Sequence, residues 1–434
     1  MINQNNTKSG NQENQDPIKV QTMKEGYKNT EVGVIPEDWE MTNITDVITK
    51  NGGMKIGPFG SQLKKEFLVK EGYKVYGQEN VYEKNFEIGN RYINDEHFQK
   101  LKTCELTSGD FIISMMGTIG KCMVVPKFIE RGIMDSHLLR LRLNDKKVNA
   151  DLLIHFFLSE FLINQVKTLS VGGIMDGLSS TIVKKITFPL PPTKAEQTAI
   201  ATALSDADAL INSLEKLIAK KSNIKQGAMQ QLLKPKEGWE VKKLGESANI
   251  FRGGSPRPIE NFITTQPNGI NWIKIGDVGK GAKFIETTEE KIIQEGVSRS
   301  RFVNEGDFLL SNSMSFGRPY ILKTKGCIHD GWLVIQNYQN HFDIEFLYYV
   351  LGSELILAQY KAMASGSSVL NLNKEIVKNV LINCPTSIEE QTRIATILSD
   401  IDVEIQALET KLEKYRKIKL GMMQNLLTGK IRLI

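Results

Sequence analysis

A 41-residue segment that occurs twice constrains the fold of this chain more than any other feature. The first copy runs from Glu196 to Lys236 and the second from Glu390 to Lys430, without gaps. The two copies share 22 of 41 residues, which chance similarity between two helices would not give. The chain is therefore an internal duplication.

Both copies predict a long helix with a narrow apolar stripe. In the second copy the stripe comprises Ile394, Leu398, Ile401, Ile405, Leu408, Leu412, Tyr415, Met422 and Leu426, interrupted by Lys419. In the first it comprises Ile200, Leu204, Ala207, Ile211, Leu214, Ile218, Ala228 and Leu232, interrupted by Lys221 and Lys225. Two apolar residues in seven are typical of a coiled-coil seam. A stripe in one helix alone would favour core packing, whereas two matched seams favour packing of the helices on each other, as rods of roughly 50 Å.

Each helix has the same start signal and the same internal glycine. Thr193-x-x-Glu196 and Ser387-x-x-Glu390 are typical of a capping box, in which a hydroxyl and a carboxylate satisfy free amides of the first turn. Gly227 and Gly421 lie at equivalent positions, where glycine costs about 1 kcal/mol relative to alanine. We interpret them as a break into a short terminal helix, the alternative being a close helix crossing.

The length of 434 residues predicts two to three domains, and 41% hydrophobic residues suffice for real cores. No apolar run is long enough to span a membrane and the first 17 residues are polar, so we expect a cytoplasmic protein. The four cysteines show no metal-ligand spacing and are predicted to be reduced, mostly buried thiols.

The sequence divides into five parts. We predict a mostly disordered polar tail over 1–35, globular segments over 36–190 and 236–384, and long helices over 191–235 and 385–434. The globular segments are themselves related, since Gly109-Asp110-Phe111 returns as Gly306-Asp307-Phe308 and Gly52-Gly53 returns as Gly253-Gly254. Strands are predicted after each Gly-Asp turn, and helices over 151–167 and 343–361.

Two globular segments with a common frame and unlike loops suit a protein that reads two different sites. The loop residues 115–119 and 312–316 differ at every position, although conserved Ser and Gly residues bracket both. Helices of roughly 50 Å between them would then act as a ruler of about fifteen base pairs of DNA.

Three motifs give this chain a resemblance to a known family. They are Tyr27-Lys28-x-Thr30-Glu31-Val32-Gly33-Val34-Ile35-Pro36-Glu37-Asp38-Trp39, the repeated Gly-Asp-Phe, and Glu-Gln-x-x-Ile-Ala-x-x-Leu-Ser-Asp-x-Asp at the start of both helices. They resemble the specificity subunit of type I restriction-modification enzymes. The resemblance implies an α+β fold: two mixed α/β target-recognition domains related by internal duplication, separated by two long helices packed as an antiparallel coiled coil.

The resemblance also implies partners and cofactors. Each domain would read one half of a bipartite double-stranded DNA target, and the helices would dock two methyltransferase subunits, with restriction subunits as an optional addition. The chain itself would bind no cofactor, while the methyltransferase would use S-adenosylmethionine and the restriction subunit ATP and Mg. The residues agree with a non-catalytic role, because neither a cofactor loop nor a methyltransferase Asn/Asp-Pro-Pro-aromatic motif is present.

The candidate DNA contacts lie in loops near glycines, where Arg and Asn can bridge base edges and Lys and Ser can hold phosphates. In the first segment they are Lys55, Gln62, Lys64, Lys65, Thr118 and Lys121, and in the second Arg252, Ser255, Arg257, Asn312, Ser313, Ser315 and Arg318. For each of them the alternative is a solvated surface residue.

Two other function classes stay open at this point. The recognition segments are nearly neutral, with 20 basic against 19 acidic residues over 36–190 and 17 against 16 over 236–384. An unaided nucleic-acid binder usually carries a basic excess. The second hypothesis is therefore a structural or regulatory protein: a two-domain coiled-coil scaffold, or a family relative that binds methyltransferase subunits without productive DNA recognition. An independent enzyme is the third, disfavoured because no catalytic constellation is visible.

Overall fold

The computed structural model describes residues 25–117, 120–170, 178–279, 281–312, 316–364 and 372–433. It consists of two compact units: unit 1 is 1–212 together with 413–434, and unit 2 is 213–412. Each long helix contributes one part to unit 1 and the other part to unit 2.

In unit 1 the strands are β1 (Tyr27–Thr30), β2 (Gly33–Pro36), β3 (Glu40–Asn43), β4 (Met54–Ile56), β5 (Leu68–Val69), β6 (Tyr73–Tyr76), β7 (Tyr92–Ile93), β8 (Phe111–Ser114), β9 (Cys122–Val124), β10 (Gly132–Met134), β11 (Leu138–Leu141) and β12 (Thr187–Leu190). Its shorter helices are α1 (Gln78–Tyr82), α2 (Asp95–Lys100), α3 (Ala150–Phe157), α4 (Glu160–Ser170) and α5 (Ser180–Val183), and the long helix is α6 (Lys194–Leu232).

In unit 2 the strands are β13 (Glu240–Lys243), β14 (Asn249–Arg252), β15 (Ile263–Thr264), β16 (Ile270–Ile273), β17 (Phe284–Ile285), β18 (Glu290–Ile292), β19 (Arg301–Val303), β20 (Phe308–Ser311), β21 (Pro319–Leu322), β22 (Gly326–Ile328), β23 (Trp332–Gln336) and β24 (Leu381–Cys384). The helices are α7 (Leu244–Ser247), α8 (Gln294–Val297), α9 (Ile344–Leu351), α10 (Glu354–Ala364), α11 (Lys374–Lys378) and the second long helix α12 (Ile388–Leu426).

The two units share one sheet topology. In unit 1 the first sheet has the order β4-β11-β8-β9, the second β10-β6-β7-β5, and β12 pairs with β3. Unit 2 repeats this arrangement as β14-β23-β20-β21-β17, β15-β18-β16-β22-β19 and β13-β24, with β17 and β19 as added edge strands. The duplication that the helices predict therefore extends through the globular parts of both units.

The repeated Gly-Asp-Phe builds the turn that starts the central strand of the first sheet. Gly109 and Gly306 have φ values of 84° and 87°, a conformation that glycine adopts without steric cost. The following carboxylate accepts a backbone N–H three residues earlier, Asp110 from Thr107 and Asp307 from Asn304, both at 2.8 Å. The predicted strands β8 and β20 after these turns are confirmed.

The predicted helices over 151–167 and 343–361 are each two helices in the structure. A serine begins the second member of each pair, because the Ser159 and Ser353 hydroxyls each accept the backbone N–H three residues later. Serine is favoured at such N-cap positions, since its side chain replaces a missing helical hydrogen bond. Apolar periodicity across the junction concealed this interruption.

A buried glutamine fastens the start of each long helix to its own unit. Gln197 donates to the Lys147 and Pro191 carbonyls at 3.0 Å and accepts from the Asn149 backbone N–H at 2.8 Å. Gln391 repeats these bonds in unit 2 with His341, Pro385 and Asp343. The Glu-Gln motif thus holds the helix against the first residues of α3 or α9.

The lysines that interrupt the apolar stripes pair with carboxylates of the other long helix. Within unit 1, Lys419 Nζ lies 2.5 Å from Asp208 Oδ1, and His155 Nδ1 of α3 lies 4.0 Å from the other oxygen of the same carboxylate. Within unit 2, Lys225 Nζ lies 2.6 Å from Asp402 Oδ1, and Tyr349 of α9 donates to the same carboxylate at 2.7 Å. The interruptions are therefore interhelical ion pairs.

Lys221 of α6 also pairs with Glu404 of α12 within unit 2. The carboxylate of Glu196 does not complete a capping box. It is buried and pairs with Arg432, although Thr193 does accept the Glu196 backbone N–H at 3.2 Å.

Two further sequence expectations need correction. Gly227 and Gly421 lie inside uninterrupted helices, and a side chain built at either would meet open space, so they mark neither a break nor a close crossing. Residues 27–36, of which 27–35 belong to the predicted tail, form the hairpin β1-β2, whose Ile35 is buried beside Trp39. Residues 1–24 of that tail lie outside the described part of the chain.

The four cysteines are free and buried. Across the described ranges, no helix combines the length and apolarity needed to cross a membrane.

Candidate nucleic-acid interface

Three loops meet at one end of the first sheet in each unit, which we call the loop end. In unit 1 its described residues are 57–62, 115–117, 120–121 and 135–137, and in unit 2 they are 253–258, 312, 316–318 and 329–331. Equivalent backbone hydrogen bonds hold the two loop ends. The Gly57 N–H donates to the Leu138 carbonyl in unit 1, as the Gly253 N–H does to the Trp332 carbonyl in unit 2. Likewise the Met115 N–H donates to the His137 carbonyl, as the Asn312 N–H does to the Gly331 carbonyl. These four bonds measure 2.8–3.1 Å. The loop ends are thus equivalent surfaces with different side chains.

Gly57, not Gly53, is the structural counterpart of Gly253. A Cβ on Gly57 would lie 1.8 Å from the Asp135 carbonyl oxygen, and one on Gly253 would lie 2.1 Å from that of His329. Both positions need glycine because the loop after β4 or β14 crosses another backbone there. Gly53 instead precedes β4 and lies against Thr49, so the sequence match of the two Gly-Gly pairs was wrong.

The loop end of unit 2 is centred on the Asp330 carboxylate, which the sequence did not identify. Its Oδ1 accepts the Ser255 hydroxyl at 3.1 Å and lies 2.9 Å from His329 Nε2. Its Oδ2 accepts Arg257 Nη2 at 3.2 Å. Burial opposes ionisation of Asp330, but the Ser255 hydrogen bond, the adjacent His329 ring and the Arg257 guanidinium hold its pKa below the usual value. The group is therefore a carboxylate at neutral pH.

Two more of the predicted residues meet at the backbone of the same aspartate. Arg252 Nε and Asn312 Nδ2 each donate to the Asp330 carbonyl oxygen at 3.2 Å. The structure therefore brings together four residues from two separate loops that the sequence proposed independently: Arg252, Ser255, Arg257 and Asn312.

Arg318 lies apart from this cluster. Its Nη2 donates to the Ala282 carbonyl at 3.4 Å and its guanidinium lies 5.4 Å from the Tyr320 ring centre. It also lines a cavity with Lys225 of α6 and Tyr348 of α9. Arg318 thus contacts the helical side of unit 2. Ser313 and Ser315 lie outside the described residues.

The predicted residues of unit 1 are more dispersed. Lys55 and Gln62 line a cleft of about 350 Å³ that also presents Lys100 and Lys184, two cations that the sequence analysis missed. Lys64 pairs with Glu66 at 3.3 Å, while Lys65 and Lys121 are exposed. Thr118 lies outside the described residues. The cleft suits an anionic ligand, because the described residues that line it include lysines and no carboxylate.

The centre of the unit 1 loop end is Asp135, which accepts Arg91 Nη2 and the His137 backbone N–H at 2.9 and 3.0 Å. Arg91 also pairs with Glu79 at 2.9 Å. The two segments Gly132-Ile-Met-Asp-Ser-His and Gly326-Cys-Ile-His-Asp-Gly align and could have revealed both centres, since in each an acid and a histidine follow a short apolar run.

Two arginines beside the unit 2 loops were also missed. The Arg299 carbonyl oxygen lies 3.2 Å from the position that a Cβ atom on Gly254 would occupy. The Arg301 guanidinium lies 4.6 Å from the Phe251 ring centre. They lie close to Gly254 only in the fold, so sequence proximity gave no signal. In the described ranges no group of three or more His, Cys, Asp or Glu side chains could hold a metal ion.

Duplicated units with equivalent but chemically unlike loop ends, joined by two long helices, define a protein with two equivalent surfaces that differ in chemistry. The family model for the type I restriction modification DNA specificity domain matches residues 36–226 and again 236–416. The chain belongs to this family and is a type I restriction-modification specificity subunit, a non-catalytic component of such systems.

Individual proteins similar to this chain are also specificity subunits. The chain is 27% identical over 431 residues to the MjaX specificity subunit of Methanocaldococcus jannaschii, covering 94% of this chain and 97% of the relative. It is 26% identical over 436 residues to the type I restriction enzyme MjaVIII specificity subunit of the same organism, covering 92% and 94%.

Two solved structures share the fold. A chain from a structure on complex assembly and conformational transition of the type I R-M system has a TM-score of 0.56 at 17% identity, covering 92% of this chain and 99% of its own. The type I restriction-modification S subunit from M. genitalium has a TM-score of 0.54 at 15% identity, covering 89% and 96%.

The unit 1 cleft leads to a prediction about salt dependence. Replacing Lys55 or Lys184 by Ala should weaken binding to all DNA sequences alike and lower the slope of log K against log salt by about 1 each, since each lysine would neutralise one phosphate. Binding titrations at several salt concentrations measure this slope. Lys146→Ala, an exposed lysine beyond the other end of β11, is the matched control. A change confined to one DNA sequence would contradict a phosphate contact.

Proposed function

We propose that each loop end reads one half of a bipartite DNA target. The observation that carries the proposal is the repeated backbone frame of the loop ends with different side chains on it. Unit 2 presents arginines and a partly exposed carboxylate, whereas unit 1 presents lysines and a glutamine. We take 36–190 and 236–384 as the two target-recognition domains. The candidate contacts of both domains, Arg318 included, remain proposals for mutagenesis.

The two long helices would form an antiparallel coiled coil that sets the spacing between the half-sites. Two observations support this arrangement. Lys419 and Lys225 are equivalent in the duplication, as are Asp208 and Asp402, so the unit 1 ion pair and the unit 2 ion pair repeat one contact with the helices exchanged. Both pairs join an early part of one helix to a late part of the other, as antiparallel helices require. Partly buried pairs of this kind are best attested as determinants of register.

The partners in this proposal are double-stranded DNA and two methyltransferase subunits, with restriction subunits as an optional addition. The methyltransferase would bring S-adenosylmethionine and the restriction subunit ATP and Mg. The protein would act in the cytoplasm, where it reaches DNA. The sheet topology of unit 1 is repeated in unit 2, which supports two methyltransferase copies.

The docking surface that we propose on α6 is an apolar patch formed by Leu217 and Ile224 within unit 2. These side chains lie seven residues apart and are exposed, next to the seam residue Ile218. In a two-stranded coiled coil such flanking positions usually carry Glu or Lys. Apolar residues there fit a bundle with additional helices, and the family assignment points to helices of the methyltransferase subunit.

Leu217→Glu should weaken the complex with the methyltransferase at least about tenfold, because the new carboxylate would be desolvated without a partner. Isothermal titration calorimetry with purified subunits measures the affinity. Asn212→Glu adds the same charge at another exposed position of α6 and should leave the affinity unchanged. Equal loss of affinity in both variants, or no loss in Leu217→Glu, would show that the apolar patch is not part of the interface.

The function as a whole is tested by methylation mapping. Genomes are compared from cells that carry this chain with its methyltransferase subunit and from cells that carry the methyltransferase alone. We expect a split motif, methylated only when this chain is present. A stable complex of the two proteins without any such motif would favour the scaffold or regulatory role instead.

A further inference from the structure

We propose that Asp330 determines the identity of one base pair in the half-site read by unit 2, and that Asp330 and Arg257 together select a cytosine–guanine pair. This inference rests on the proposed function and names a specificity determinant within it. Asp330 is the loop-end residue that the four predicted residues contact, and it was not among the residues predicted from the sequence.

The geometry leaves the pair open to a ligand. The Asp330 side chain is 29% exposed and that of Arg257 is 80% exposed. Oδ1 of the carboxylate is occupied by Ser255 and His329, whereas Oδ2 has Arg257 Nη2 as its hydrogen-bond partner. A carboxylate oxygen accepts two hydrogen bonds. Oδ2 can therefore receive a further donor while Arg257 keeps its place beside it.

The chemistry of the major groove identifies that donor. Cytosine presents its N4 amino group there, and the paired guanine presents O6 and N7 as acceptors. A carboxylate can accept from N4, while a neighbouring guanidinium donates to O6 and N7. One cytosine–guanine pair thus matches both members of the Asp330–Arg257 pair. A phosphate would be repelled by the carboxylate, so Asp330 does not belong to a backbone grip.

A purely structural role would anchor the 253–258 loop, and unit 1 provides the comparison. Its aspartate lies one position earlier, at Asp135, where the side chain is only 7% exposed and pairs with Arg91. The position equivalent to Asp330 is Ser136. The unit 1 loop frame therefore folds with a serine at this position, so a carboxylate there is not part of the repeated frame. The two units differ here, as readers of two different half-sites must.

The test uses the complex of the full chain with its methyltransferase subunits. Wild type and Asp330→Asn are titrated by fluorescence anisotropy with duplexes that carry each of the four base pairs at each position of the mapped target. Asn should lose the preference for cytosine–guanine by about 5- to 150-fold at one position, the range of a base-specific contact, and should favour adenine, which an amide can bridge through N6 and N7. The other half-site should be unaffected.

Glu305→Gln removes the same charge from an exposed turn beyond the other end of β20 and should change nothing. If Asp330→Asn fails to fold, Asp330→Ser supplies the residue that unit 1 carries and should show the same loss at one position. Equal weakening at all positions, an effect in both half-sites, or a changed position that is not cytosine–guanine in wild type would overturn the inference. Absence of any split motif in wild type would instead refute the proposed function.

Discussion

Arg432→Ala should lower the stability of unit 1 by about 3–5 kcal/mol, the range for removing one partner of a buried ion pair. The Glu196 carboxylate, only 3% exposed, pairs with Arg432. The same guanidinium binds both Asp38 oxygens, at 2.9 and 3.0 Å, and lies 5.6 Å from the Trp39 ring centre. Truncation would leave Glu196 buried without its cation. One side chain near the end of the sequence thus holds the start of α6 and the residues before β3.

Hydrogen exchange of peptides from 36–43 and 194–204 measures this effect locally, which avoids treating the two-unit chain as a two-state folder. Lys430→Ala, an exposed cation nearby, should change exchange by no more than about 0.5 kcal/mol. Glu196→Gln in the Arg432→Ala background should recover part of the loss, because an amide is less costly to bury than an unpaired carboxylate. Unchanged exchange in Arg432→Ala would mean that solvent already screens the pair.

The Arg432 ion-pair network also shows which contacts cannot be predicted from the sequence. The capping signal at Thr193 and Glu196 correctly predicted where the helix starts, since that signal is local. The partner of Glu196 lies 236 residues away, and no periodicity identifies it. The same holds for Lys225 and Lys419, which appear in sequence only as interruptions of a stripe. Their partners, Asp402 and Asp208, belong to the repeated Ser-Asp-x-Asp, so both halves of each pair were visible but not their contact.

In the candidate site, too, some features could be predicted from the sequence and others could not. Gly253 lies in the loop end of unit 2, where backbones cross so closely that glycine is required; in unit 1 the residue in this position is Gly57, not the Gly53 that the sequence match indicated. Individual side chains were harder to predict. Arg257 and Arg318 are equally basic in sequence, yet Arg257 is exposed beside Asp330 and Arg318 contacts Ala282 and Tyr320. Which face of a strand end a residue occupies is decided by sheet register and by the helices packed on it.

Deletion of seven residues from each long helix should shorten the spacer of the DNA target without altering either half-site. We propose to remove 213–219 from α6 and the equivalent 407–413 from α12. This keeps the ion pairs of Asp208 with Lys419 and of Asp402 with Lys225. Because the deletion is one heptad, it also preserves the phase of the apolar stripe and moves Ile224 into the position of the deleted Leu217. At 1.5 Å per residue the helices lose about 10 Å, equal to about three base pairs of DNA.

Methylation mapping of the double deletion reads the new spacer directly, with both half-sites as internal controls. A deletion in only one helix should abolish methylation, because the two ion pairs could no longer form in one register. Deletion of five residues from both helices should also abolish it, since 100° per residue turns the apolar stripe away from its partner. A methylated motif with the original spacer in the seven-residue deletion would show that the helices do not measure the distance. A shortened spacer would establish that the duplicated helices, and not the recognition domains, encode the length of the target.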